Sequence, residues 1–107
     1  MSKKGINYPE VIDLVAENDT EVILIIVQTE LLTDALFINF QEKVNNYISF
    51  AKDGQMIALY PNVPEKDIVI RIDMYEIIET TTLELFLKTK DALLQHNIKF
   101  IWSKCAY

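Results

Sequence analysis

Among the side chains able to do chemistry, this 107-residue sequence holds one histidine, one cysteine, three serines and sixteen carboxylates. A catalytic centre needs a nucleophile, or an acid and a base, within hydrogen-bond reach of one another. His96 falls in the last turn of an expected helix, where an imidazole suits the negative end of the helix dipole. Zinc takes three or four ligands, and His96 with Cys105 supplies two on separate elements. Cys105 is followed directly by Ala106 and Tyr107 and has Lys104 as its only basic neighbour, the setting of an edge thiol rather than a tuned thiolate. Ser2, Ser49 and Ser103 lie in no G-x-S-x-G context, and two glycines cannot build a dinucleotide or phosphate loop. No metal and no cofactor is expected, and no catalytic residue is assigned.

Asp13, Asp19, Asp73 and Glu76 are the candidates for acid–base work or for a hard cation. Asp19 suits a turn and Glu76 a solvated strand end. Asp13 differs, because it stands between Ile12 and Leu14 in a strand-like run. A carboxylate there needs a compensating donor. Arg71 is the single arginine, and placing both residues on one outer sheet face predicts an Asp13–Arg71 pair, within the chain or across a dimer. Capping of nearby backbone amides by Asp13 is the rival arrangement.

These residues must be positioned by elements legible in the spacing. VIDLVAENDTEVILIIV reads as a hairpin, with strands near 10 to 16 and 21 to 28. Asn18 and Asp19 as turn residues set Leu14 opposite Ile23 and Ile12 opposite Ile25. Phe37, Phe40, Val44, Tyr47, Ile48 and Ala51 recur at three- and four-residue intervals, so a helix is expected from Thr33 to Gly54. Thr33 would cap its start. Lys43 is assigned to its polar side with Gln41, Glu42, Asn45 and Asn46. QMIALYP reads as a helical turn ended by Pro61.

Asp67 to Tyr75 alternates, with Ile68, Ile70, Ile72 and Met74 on the core side. Thr81-x-x-Glu84 has the form of a capping box for a second helix over 82–96, with Asn97 at its C-terminal end. Ile98, Phe100 and Trp102 mark a last strand. The order β-β-α-β-α-β predicts an α+β domain: a four-stranded mixed sheet with two helices packed on one face, since right-handed crossovers place both on the same side. One domain spans 1–107, with residues 1–8 as a loose arm.

The net charge of −6 argues against nucleic acid as a partner, which would draw affinity from clustered Lys and Arg. Charge is uneven, because residues 86 to 107 hold Lys88, Lys90, Lys99 and Lys104 against Asp91. The first-helix aromatics are not interleaved with cations and read as core rather than as a base-stacking platform. A lone cysteine points to a reducing cytoplasm. The longest apolar run, Val22 to Val27, is too short to cross a bilayer, and MSKKGINYPE has no apolar segment behind its lysines.

Val11-Ile12-Asp13-Leu14-Val15, Phe40-Gln41-Glu42-Lys43-Val44-Asn45-Asn46-Tyr47, Tyr60-Pro61 and Val69-Ile70-Arg71-Ile72 together resemble a family of short bacterial proteins, about a hundred residues long, carried as a domain of unknown function. The resemblance implies a bacterial source and no particular activity.

Three functions of different classes fit. The first is a non-catalytic interaction protein, a homodimer or the partner of another protein, whose interface lies on the helix-free sheet face through Val11, Asp13, Val15, Val22, Leu24, Ile26 and Arg71. The second is a small-molecule binding module with a pocket between helices and sheet rimmed by Tyr47, Tyr60 and Trp102. The third is an enzyme using Asp13 and Asp73.

Overall fold

The computed structural model describes residues 5–52 and 66–105. Strand β1 (Leu14–Glu17) turns back into β2 (Glu21–Gln28). A single 3-10 turn at Asp34–Leu36 leads into helix α1 (Phe37–Lys52). Strand β3 (Asp67–Met74), helix α2 (Thr80–Leu94) and strand β4 (Ile98–Lys104) complete the order. The sheet runs β1-β2-β3-β4, with β1 antiparallel to β2 and the other neighbours parallel. This is the α+β architecture expected from the sequence.

Register explains the core. Leu24, Ile70 and Phe100 lie side by side across three strands, as do Val22, Ile68 and Ile98. The helices pack on these rows: Phe40 of α1 and Phe86 of α2 have ring centroids 5.6 Å apart, and both meet Phe100, at 6.2 and 5.8 Å. Both helices therefore cover one face.

Several expectations are corrected. The hairpin turn sits one residue later, so Leu14 pairs with Ile25 rather than Ile23; the side chains keep their faces because partners move by two. β1 begins at Leu14, not near residue 10. Thr33 makes no side-chain cap. α2 starts at Thr80 behind Glu79, again without a side-chain cap, so Thr81 is not its capping residue. Thr82 instead turns into the core and its hydroxyl donates to the Leu32 carbonyl at 3.1 Å. Asn97 ends the turn after α2 in the left-handed region, φ 58°, as a helix-terminating asparagine can. Gly54 and the QMIALYP segment lie outside the described residues.

Candidate functional site: a buried polar clamp, a groove and the second sheet face

Asp13 lies just before β1, where the β1–β2 ladder stops, and its carboxylate turns toward the helices. Oδ2 accepts the Gly5 and Val27 N–H groups, each at 2.9 Å. Oδ1 takes the Lys43 ammonium at 2.7 Å, and both side chains are fully buried. The other two Lys43 protons go to the Gly5 and Tyr8 carbonyls at 2.8 and 2.9 Å, which uses every donor an ammonium has. Burial pushes the Lys43 pKa down from its ordinary value, against the pull of Asp13 and of the Glu10 charge.

Tyr47, one turn along α1, inserts its hydroxyl between the strands. The oxygen accepts the Asp13 N–H at 2.9 Å and donates to the Ile25 carbonyl at 2.8 Å. Burial pushes its pKa upward. Gln28 holds the arm farther along, accepting the Ile6 N–H at 2.8 Å, and Asn46 donates to the Pro9 carbonyl at 2.9 Å. Gly5 has φ +96°, and a Cβ there would meet Gln28 Oε1 and the Val27 carbonyl at 3.0 Å. Residues 5–8, expected to be loose, are thus strapped down, with Ile6 fully buried.

The Asp13–Arg71 pair does not form. Arg71 grips Asp73 on its own strand, Nε to Oδ1 at 2.8 Å and Nη2 to Oδ2 at 3.2 Å, on the sheet face opposite the clamp. The reason is a reversal of the hairpin. Val22, Leu24 and Ile26, expected on the helix-free face, are wholly buried against the helices, and Val15 packs against the same core. Asp13 follows their parity, so the acid-base pairing of Asp13 with Asp73 fails as well. Val11 stands before the first strand, half-buried.

As it stands the clamp is closed to substrate. Its charged groups have no contact with water, and among the described residues every buried side-chain nitrogen and oxygen has a hydrogen-bond partner. Lys43 is the residue that sequence reasoning missed. The signal was present: it stands three residues after Phe40 and four before Tyr47, on their face of the helix.

Two surfaces bear on the expected functions. A groove of about 360 Å³ lies between α1 and α2 over Phe40, Val44 and Leu93, rimmed by Gln41, Asn45, Lys88 and His96. It replaces the expected pocket between helices and sheet: Tyr47 is sealed in the clamp, Trp102 packs on Phe86 and Phe100 with centroids 5.6 and 6.0 Å away, and Tyr60 lies outside the described residues. The second is the sheet face turned away from α1 and α2. One row across it reads Leu14, Ile25, Arg71, Ile101; Leu14 and Ile101 are each 44% exposed.

Residues 4–106 match DUF6572, a family of unknown function, and the chain belongs to it. No curated protein and no solved structure gives a match. Among the described residues no helix is long and apolar enough to cross a membrane.

Proposed function

We propose that this member of the family is a non-catalytic interaction protein that self-associates through the face of its sheet turned away from α1 and α2. The observation that carries the reading is the row of Leu14, Ile25, Arg71 and Ile101, whose two flanking side chains, Leu14 and Ile101, are apolar and exposed while Ile25 between them is buried. Removing such side chains from water stabilises an assembly by about 25 cal/mol per Å² of apolar surface before association costs are counted. The charges on this face are matched within the chain: Arg71 with Asp73, and Lys99 near Glu21 and Asp67 at 4.0 and 3.9 Å. A second copy therefore meets an apolar surface with balanced charge. The accessible apolar part of this face is Leu14, Ala16, Ile23, Val27 and Ile101, in place of the expected Val22, Leu24 and Ile26, while Ile25 and Val69 on the same face are buried, at 5 and 2% exposure. A bacterial cytoplasm suits this reading, with its single cysteine and acidic balance.

Light scattering across micromolar concentrations is the test. A dimer is expected, and Leu14→Lys or Ile101→Lys should shift it to monomer, whereas Leu87→Lys on α2 should not. A wild-type chain that stays monomeric would sink the reading. The interhelical groove favours a second reading, a small-molecule binding module, because its volume falls within the ligand-site range of about 300–1,000 Å³. Filling it with Val44→Trp should then abolish any thermal stabilisation by a small-molecule library while leaving the dimer intact.

A further inference from the structure

The groove between α1 and α2 has an apolar bed and a rim of unspent polar groups. Phe40, Val44 and Leu93 at its floor are buried, and Ile48, Leu85 and Ala92 form its walls. The polar side chains around it are Gln41 and Asn45 of α1 and Lys88, Thr89 and His96 of α2. Thr89 is spent on its own helix, its hydroxyl donating to the Leu85 carbonyl at 2.8 Å. Among the described residues the other four side chains hold no hydrogen bond and no ion pair. Only the backbone of His96 is engaged: its N–H donates to the Leu93 carbonyl, and its carbonyl accepts the Lys52 ammonium.

Charge on this rim runs against the chain. The net charge is −6, yet the groove is lined by two side chains able to carry a positive charge, Lys88 and His96, and by no carboxylate. Asp34 and Glu84 line a separate hollow at the start of the seam, with Phe37 and Thr81, and neither forms an ion pair with Lys88. Glu42 and Asp91 line neither hollow. Gln41 and Lys88 line both, so they stand together where the two hollows meet, one from each helix. From Lys88 to His96 α2 and its end advance by about 12 Å, at about 1.5 Å per residue. Ala92 lies midway, with Val44 and Ile48 on the α1 side.

We propose that this groove binds a small organic carboxylate with an apolar body. The carboxylate meets the Lys88 ammonium and the Gln41 amide N–H, a charge-assisted pair of donors set beside apolar surface. The body lies along Val44, Ile48 and Ala92 toward His96. A cationic head would face Lys88 with like charge, and a neutral one would leave the ammonium unmatched. The proposal rests on the small-molecule reading of the groove and adds to it the charge of the ligand.

His96 is the only histidine, so its imidazole proton resonances report on the groove alone. Octanoate, octanamide and octylammonium share one apolar body and differ in the head. Octanoate should shift the His96 resonances saturably, octanamide should bind about tenfold more weakly or worse, and octylammonium should not bind. Lys88→Gln should reduce octanoate to the affinity of octanamide while leaving octanamide unchanged, a split that a loss of structure would not produce, and Val44→Trp should abolish both. Equal binding of octanoate and octanamide, or equal weakening of both by Lys88→Gln, overturns the charge assignment and leaves the small-molecule reading standing. No saturable shift with octanoate also overturns the proposal. The reading falls with it only if no compound of a small-molecule library stabilises the wild-type chain more than Val44→Trp.

Discussion

Lys43 Nζ sits 2.7 Å from Asp13 Oδ1 with neither side chain in contact with water, and this pair, thirty residues apart in sequence, fastens the N-terminal arm to α1 and β2. Removing one partner strands the other charge, and such losses run to about 3–5 kcal/mol. Lys43→Met and Asp13→Asn should each lower the urea midpoint strongly. The double variant should recover part of the loss, because the two substitutions act on one interaction. Additive effects would show that the ion pair contributes nothing of its own.

Tyr47 gives a pH signature. Burial raises its pKa in the folded protein above the ordinary 10.0, so above about pH 10 the unfolded chain loses a proton that the folded chain keeps. Its contribution is full below that pH and falls as pH climbs through the folded value. Tyr47→Phe should destabilise at neutral pH by about 1–3 kcal/mol, leaving the Asp13 N–H and Ile25 carbonyl unpaired. It should also flatten the alkaline decline measured by denaturation at a series of pH values.

Ile6→Ala should cost about 2–5 kcal/mol, as for any fully buried large aliphatic residue, whereas Tyr8→Ala, at a position 37% exposed, should cost far less. Gly5→Ala should destabilise through its left-handed backbone and the tight approach to Gln28 and Val27. Thermal melts of the three variants rank these effects. An unaffected Ile6→Ala would mean that the arm is not part of the core.

Within the threonine run, Thr82→Val should lose about 1–3 kcal/mol by leaving the Leu32 carbonyl without its donor. Thr81→Ala, on the exposed side of α2, should be nearly neutral. The reverse ranking would place the start of the helix at Thr81.

The alternation of Ile68, Ile70, Ile72 and Met74 was enough to orient β3, because its other side carries Arg71 and Asp73. The hairpin offered no such contrast. Ile23 and Ile25 on one face are as aliphatic as Val22, Leu24 and Ile26 on the other, so a period of two fixes which residues share a face but not which face meets the helices. That ambiguity carried Asp13 to the wrong side and paired it, on paper, with Arg71. Lys43 was hidden for a related reason: a cation is read as solvated by default, although its spacing from Phe40 and Tyr47 put it on the buried face. The strand order β1-β2-β3-β4 was not legible in the sequence, because connection lengths set the hand of each crossover but not which strands become neighbours.

The hydroxyl of Tyr47 also changes when the sheet edge can close. A hairpin ordinarily completes its ladder from local residues, yet here the rung at Asp13 and Ile25 is supplied by a helix that lies later in the chain. That rung cannot exist before α1 docks, so the start of β1 is tied to a long-range step rather than to fast hairpin formation. Native-state hydrogen exchange should reveal it: the amide of Asp13, beside a four-residue edge strand where fraying is the rule, should open only with the whole domain.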